Sequence, residues 1–365
     1  MAEIDALFKM LVEADGSDLH ISAGRRPMIR ESGEMRQLDL PVLENSDMEH
    51  FIAEIIPDRN QQEFKEKNDT DFAYDMPGFV RLRANVFRDR LGMGAVFRVI
   101  PAKVLTADEL GLPEGVRNFC YLSKGLVVVT GPTGSGKSTT LAAMIDLINL
   151  TRLDHIITIE DPIEFVHQEK KCLINQREIK RHTSSFSAAL RAALRQDPDV
   201  VLVGEMRDLE TIEIALETAE TGHLVFGTLH TNTAISTVDR IIDAFPADRQ
   251  NQIRTMLASS LKGVVAQTLC KRNPKGRVAA LEVLIVDKAI AAMIRDGKLH
   301  QVPSAMQIGR SKGMVLLNES LTDLVGQGTI DAKDAYIKAV DKDDLITRFE
   351  KAGIQLRLNG DDTNL

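Results

Sequence analysis

The sequence predicts a two-part α/β protein: a small N-terminal α+β domain, then a mostly parallel sheet flanked by helices, ending in a helical tail. Three observations carry this. Short β-branched runs recur at 125–131 (GLVVVTG), 155–161 (HIITIED), 199–205 (DVVLVGE), 222–230 (GHLVFGTLH) and 278–286 (VAALEVLIV), with the little polar alternation expected of strands buried on both faces. Helix-like segments separate most of them. The first hundred residues lack that rhythm and mix helical with strand-like patterns.

Taken in order, Ile4, Leu7, Phe8 and Leu11 have helical spacing. The turn-rich segment 15–18 follows, then the alternating run 19–23 (LHISA). A helical stretch is predicted over 46–67, and strands over 79–87 and 92–100. We take 1–100 as one domain and the proline-flanked 101–112 as a linker. The α/β core then runs over 113–288 and the polar helical tail over 289–365. Within the core, Ser185, Phe186, Ala189, Leu190, Ala193 and Leu194 predict one helix, and Ile212, Ala215, Leu216 and Ala219 another.

Composition excludes several classes. The chain has 365 residues, 44% hydrophobic and 27% charged, which excludes wholesale disorder. It carries 45 basic against 53 acidic residues, so bulk charge does not draw it to nucleic acid or anionic lipid. Tryptophan is absent and aromatics are 4%, which argues against base-stacking platforms. The longest apolar runs, such as 125–129, fall far short of the roughly 20 residues of a membrane helix. The first twenty residues carry acids where a secretory signal would be basic, so export is not expected. Cys120, Cys172 and Cys270 form no CxxC pair, which suits a reducing cytoplasm and argues against a zinc knuckle.

Gly131–Ser138 (GPTGSGKS) matches GxxxxGK[ST] at every fixed position, between a buried strand and an apolar helix. Glycines there let backbone N–H groups turn inward around phosphates, and the helix N-terminus adds its dipole. Lys137 is expected to reach the β- and γ-phosphates and Ser138 to ligate Mg²⁺. The sequence therefore predicts binding of a nucleoside triphosphate.

Hydrolysis needs an acid for the metal's water shell and a group to orient the attacking water. Two strand ends deliver carboxylates: Glu205, and Glu160 with Asp161, followed by Glu164. We assign Glu160 as the water-orienting base and Glu205 as the metal-shell acid, though spacing alone allows the roles to be exchanged. The 222–230 run carries His223 near its start and His230 at its end; the terminal cluster His230, Thr231 and Asn232 could hydrogen-bond a γ-phosphate and report its loss, beside the ordinary structural role of a lone histidine. Glu213, Glu217 and Glu220 read as a solvated helix face. Alternation puts Arg81 and Arg83 on one face of a strand, with Arg88 and Arg90 beside a turn and Arg98 beyond. In a monomer these are a solvated basic face; in a ring they can act in trans as arginine fingers.

The motifs 131–140 (GPTGSGKSTT), 157–165 (ITIEDPIEF), 194–208 (LRQDPDVVLVGEMRD) and 221–232 (TGHLVFGTLHTN), in this order, resemble the secretion-type ATPases of type IV pili and type II secretion. The resemblance spans nearly the whole chain and includes the opening 17–35. It implies a hexameric motor with a PAS-like N-terminal domain linked to a RecA-like P-loop core. It also implies ATP contacts at Thr133, Gly134, Ser135, Gly136, Lys137, Ser138 and Thr139, catalysis at Glu160 and Glu205, and phosphate sensing at His223 and His230. The finger role for Arg81, Arg83 and Arg88 gains weight from it.

About 100 residues precede the linker and no four-cysteine module is present, which resembles the retraction branch of that family. The segment 289–298 (AIAAMIRDGK) is similar to a retraction-associated motif, with Ala291 and Ala292 where the family usually has Arg-Asn. That departure leaves an accessory retraction paralogue open. The resemblance implies ATP and Mg²⁺ as cofactors, and a homohexamer partnered by the pilus platform protein and assembly ATPase. It places the motor in the cytoplasm at the inner face of the inner membrane, held there through partners, with no role for nucleic acid. Two other readings stand beside it: a nucleic-acid translocase on the same core, separable by a salt-dependent DNA shift, and a non-hydrolysing accessory subunit, separable by phosphate release.

Overall fold

The computed structural model describes residues 2–31, 34–100 and 103–357. Pro101 and Ala102 of the predicted linker, and 358–365 of the predicted tail, lie outside the described residues. The chain divides into two compact units: Met1–Lys103 with Glu164–Val166, and Val104–Ile163 with His167–Leu365.

The first unit contains α1 (Asp5–Glu13), β1 (Asp18–Ser22), β2 (Met28–Glu31), β3 (Glu34–Gln37), α2 (Asn45–Ile55), α3 (Asp58–Lys67), β4 (Asp69–Met76), β5 (Val80–Asp89) and β6 (Gly92–Ile100). Its six strands form one antiparallel sheet in the order β3-β2-β1-β6-β5-β4. The helix expected over 46–67 is two helices. Pro57 divides them, because proline disfavours helical geometry in the residue before it, and Ile56 is extended. Alternation along β5 buries Val80, Leu82, Ala84 and Val86 beside Phe8, Leu19, Ile29 and Phe97.

The second unit begins with α4 (Glu114–Asn118), β7 (Gly125–Thr130), α5 (Lys137–Thr151), β8 (His155–Glu160), β9 (Leu173–Glu178), α6 (Phe186–Ala193), β10 (Val200–Val203), α7 (Leu209–Glu220) and β11 (Leu224–Leu229). It continues with α8 (Ala234–Asp243), α9 (Gln250–Ser260), β12 (Leu261–Lys271), β13 (Arg277–Ile285), α10 (Lys288–Arg295), α11 (Val302–Ile308), α12 (Leu317–Gly326), α13 (Ala332–Lys338) and α14 (Lys342–Ala352). Its sheet runs β13-β12-β7-β11-β10-β8-β9, parallel throughout except where β13 returns antiparallel on β12.

Both faces of this sheet are covered. Val127, Val129, Val200, Leu202 and Phe226 pack under α5, while Leu126, Val128, Val201, Val203 and Val225 pack under α6, α7 and α9. That is why these strands read as unbroken apolar runs. Cys270 and Ala280 on the antiparallel pair join Leu317, Leu321, Leu345 and Phe349 in a separate small core under the last helices. Strand β12 had no counterpart in the sequence reading. It continues directly from α9, where Leu261 turns extended without an intervening loop signal.

Candidate active site

Parallel strands end on one edge, and register fixes which residues meet there. Thr130 is level with Leu229, and Val203 with Gly227 and Ile159. The loop 131–136, Glu160, Glu205 and His230 therefore gather at the carboxyl edge, where open α/β sheets bind ligands.

Within the loop, Gly131 and Gly136 have φ of +146° and +90°, which a residue with a Cβ rarely adopts. Gly136 caps α5, so Lys137, Ser138 and Thr139 form its first turn with N–H groups free of intrahelical partners. The backbone is shaped to surround an anion. Lys137 Nζ donates to the carbonyls of Gly131 (2.8 Å) and Pro132 (3.2 Å) and stands 3.5 Å from His230 Nδ1.

Glu205 Oε1 is 2.8 Å from His230 Nε2 and 2.5 Å from Arg207 Nε. Burial works against the charge on Glu205, but Arg207 and then His230 outweigh it, so its carboxyl lies below the usual range. A His230 ring protonated on Nε2 donates to Glu205 and turns its Nδ1 lone pair towards Lys137. The imidazole thus bridges the loop lysine and the strand-end acid. Beside it, Thr130 Oγ1 donates to the Thr231 carbonyl at 2.8 Å and accepts from Thr231 N at 2.9 Å, which pins the turn after β11 to the end of β7. Glu160 Oε1 accepts from Thr158 Oγ1 at 2.7 Å and from Gln176 Nε2 at 3.1 Å.

His223 is not brought to this edge. It precedes β11 at the opposite end of the sheet, where its Nδ1 faces the Thr218 carbonyl at 3.1 Å and its own carbonyl accepts from Gly125 N. Six strand residues separate it from His230, roughly 20 Å at strand rise. The three arginines have partners within their own unit. Arg81 lies 3.5 Å from Asp75 and Arg83 3.7 Å from Asp71, across the β4–β5 pair. Arg88, at the exposed end of β5, lies 5.3 Å over the Phe64 ring.

The sequence reading did not single out Arg207 or Gln267. Arg207 carried a signal, standing two residues after Glu205 in the short connection before α7. Gln267 carried none, because its place beside the loop depends on how β12 pairs. Among the described residues, no group of three or more His, Cys, Asp and Glu side chains is placed to hold a metal. A metal at this edge would therefore lean on the nucleotide's phosphates, as Mg²⁺ commonly does.

The sequence profile of the family described as "Type II/IV secretion system protein" matches residues 3–274. The chain is 52% identical over 337 residues to the type IV pilus retraction ATPase PilT of Pseudomonas aeruginosa, covering 92% of this chain and 98% of that one. It is 49% identical to a twitching motility protein of Neisseria gonorrhoeae, covering 86% and 84%. A crystal structure of the pilus retraction motor PilT with bound ADP superposes with a TM-score of 0.89 at 46% identity, covering 95% and 99%. The chain belongs to the type II/IV secretion system protein family and, within it, to the PilT-type retraction ATPases.

Proposed function

We propose that this protein hydrolyses ATP at the carboxyl edge of its parallel sheet and uses the cycle to retract a type IV pilus, as a homohexamer. The observation that carries the chemistry is the Lys137–His230–Glu205 chain beside the phosphate loop. Backbone N–H groups of 133–139 bind the phosphates, and Lys137 moves from its own loop carbonyls to the β- and γ-phosphates. His230 then loses its Lys137 contact and reports occupancy through Glu205. Glu160, oriented by Thr158 and Gln176, positions the attacking water.

The donor set suits Mg²⁺: a hydroxyl at Ser138 in the first turn of α5 and a carboxylate held ionised at Glu205. When bound, the ion supplies charge neutralisation on the phosphates. We place the motor at the cytoplasmic face of the inner membrane, on the pilus platform protein and alongside the assembly ATPase. The first unit serves as a PAS-like module and Arg88 as a trans finger.

Deleting the gene and complementing it with wild type or Lys137→Ala tests the reading. We expect hyperpiliated, non-twitching cells that only the wild type rescues. Bald cells, or full rescue by Lys137→Ala, would overturn it.

A further inference from the structure

The phosphate loop is held from outside by a residue 132 positions beyond the one it contacts. Ala266 on β12 is level with Thr130, the last residue of β7, so Gln267 stands beside the first loop residue. The approach there is close: a Cβ on Gly131 would lie 2.2 Å from the Gln267 carbonyl oxygen. The Gln267 side chain runs under the loop, with the residue 3% exposed, and its Nε2 donates to the Ser135 carbonyl at 2.6 Å. A Cβ on Gly136 would lie 3.1 Å from that same Nε2. This hydrogen bond fixes which way the amide faces, since only the NH₂ can serve a carbonyl. It leaves Gln267 Oε1 buried with no hydrogen-bond partner among the described residues. A buried acceptor in that state is costly and calls for an explanation.

The geometry of the peptide group supplies one. In a planar trans peptide the C=O of one residue and the N–H of the next point in opposite directions. Pinning the Ser135 carbonyl onto β12 therefore aims the Gly136 N–H into the concave side of the loop. Gly136 has no Cβ and a left-handed φ of +90°, so nothing in its own side chain holds that orientation. We infer that Gln267 is a positioning residue for nucleotide binding: its amide locks the Ser135–Gly136 peptide plane so that the Gly136 N–H faces the bound phosphates. The inference rests on the phosphate-loop assignment above. Contacts of this kind act on bound substrate and transition state alike, so they set affinity more than turnover.

The test is steady-state ATP hydrolysis and competitive inhibition by ADP with Gln267→Met and Gln267→Glu, checked for fold by circular dichroism. Methionine keeps length and loses the amide; glutamate keeps the planar shape and loses the donor. KM for ATP and the inhibition constant for ADP should both rise roughly tenfold, the equivalent of one hydrogen bond, with kcat within about threefold of wild type. If Gln267→Met fails to fold, Gln267→Glu decides. Wild-type KM in a folded variant, or a loss confined to kcat, would refute the role of Gln267. Hydrolysis by Lys137→Ala in the same assay separates the outcomes: if that variant turns over normally, the phosphate-loop assignment itself falls.

Discussion

Lys137 holds two carbonyls of its own loop and faces His230, so its ammonium is positioned before any phosphate arrives. Replacing it with alanine removes the charge meant for the β- and γ-phosphates, and hydrolysis by purified Lys137→Ala should drop to background. In the proposed cycle Glu160 and Glu205 act later. Glu160→Gln and Glu205→Gln should retain ATP binding and lose about 10² or more in turnover, read by nucleotide titration against phosphate release. Normal turnover in either variant removes that residue from the chemistry. Because the Glu205 carboxyl sits below the usual range, its ion pair with Arg207 stabilises the fold above the ordinary carboxylate pKa. That contribution is lost only as pH falls through the lowered value. The cysteines behave oppositely. Burial pushes the Cys120 and Cys270 thiols up to about 12 and raises Cys172 as well. Native protein at pH 8 should leave a thiol-specific dye unreacted, while denatured chain should titrate all three cysteines. Rapid labelling of the native chain would show that one of these sites opens.

Helix α7 follows the Glu205 turn, and Asp208 closes its N-terminus by accepting from Thr211 N and Thr211 Oγ1, both at 2.8 Å. Asp208→Ala should cost about 1 kcal/mol in denaturant unfolding, the usual worth of such a cap. A midpoint unchanged by the substitution would show that tertiary packing alone holds that turn. At this scale the sequence was legible wherever the signal was contiguous. The phosphate loop shows itself in eight consecutive residues between an apolar strand and an apolar helix. Glu160 and Glu205 show themselves as acids ending apolar runs. Contacts made by pairing did not show. Strand β12 has no turn before it, and Gln267 meets Ser135 only once β12 lies beside β7. A strand also parts residues that lie close in sequence: β11 carries His223 and His230 to opposite edges of the sheet, and of the two His230 reaches Glu205.

At the scale of the whole molecule, the proposed ring asks one of three arginines to serve a neighbouring subunit, and their contacts rank them. Arg81 and Arg83 face Asp75 and Asp71 across β4 and β5, so using either as a finger means breaking an ion pair first. Among the described residues, Arg88 stands exposed at the end of β5 and its side chain gives up only a stacking contact with Phe64, which makes it the least costly of the three to redeploy. A finger donated across a head-to-tail ring acts only in the assembly, so specific activity should rise with protein concentration. ATP would then draw one subunit's first unit onto its neighbour's loop, and hydrolysis would release it, turning chemistry into movement. Mixing separates the partners. Arg88→Ala protein has an intact phosphate loop, and Lys137→Ala protein keeps its arginines; each should be nearly inactive alone. In mixed hexamers the second supplies fingers to the first, so activity should recover in part and peak at intermediate ratios. Arg81→Ala and Arg83→Ala, paired with Lys137→Ala in the same way, should show less loss alone and so less to recover. If hexamers containing both variants form and turnover never returns, Arg88 does not act across the ring.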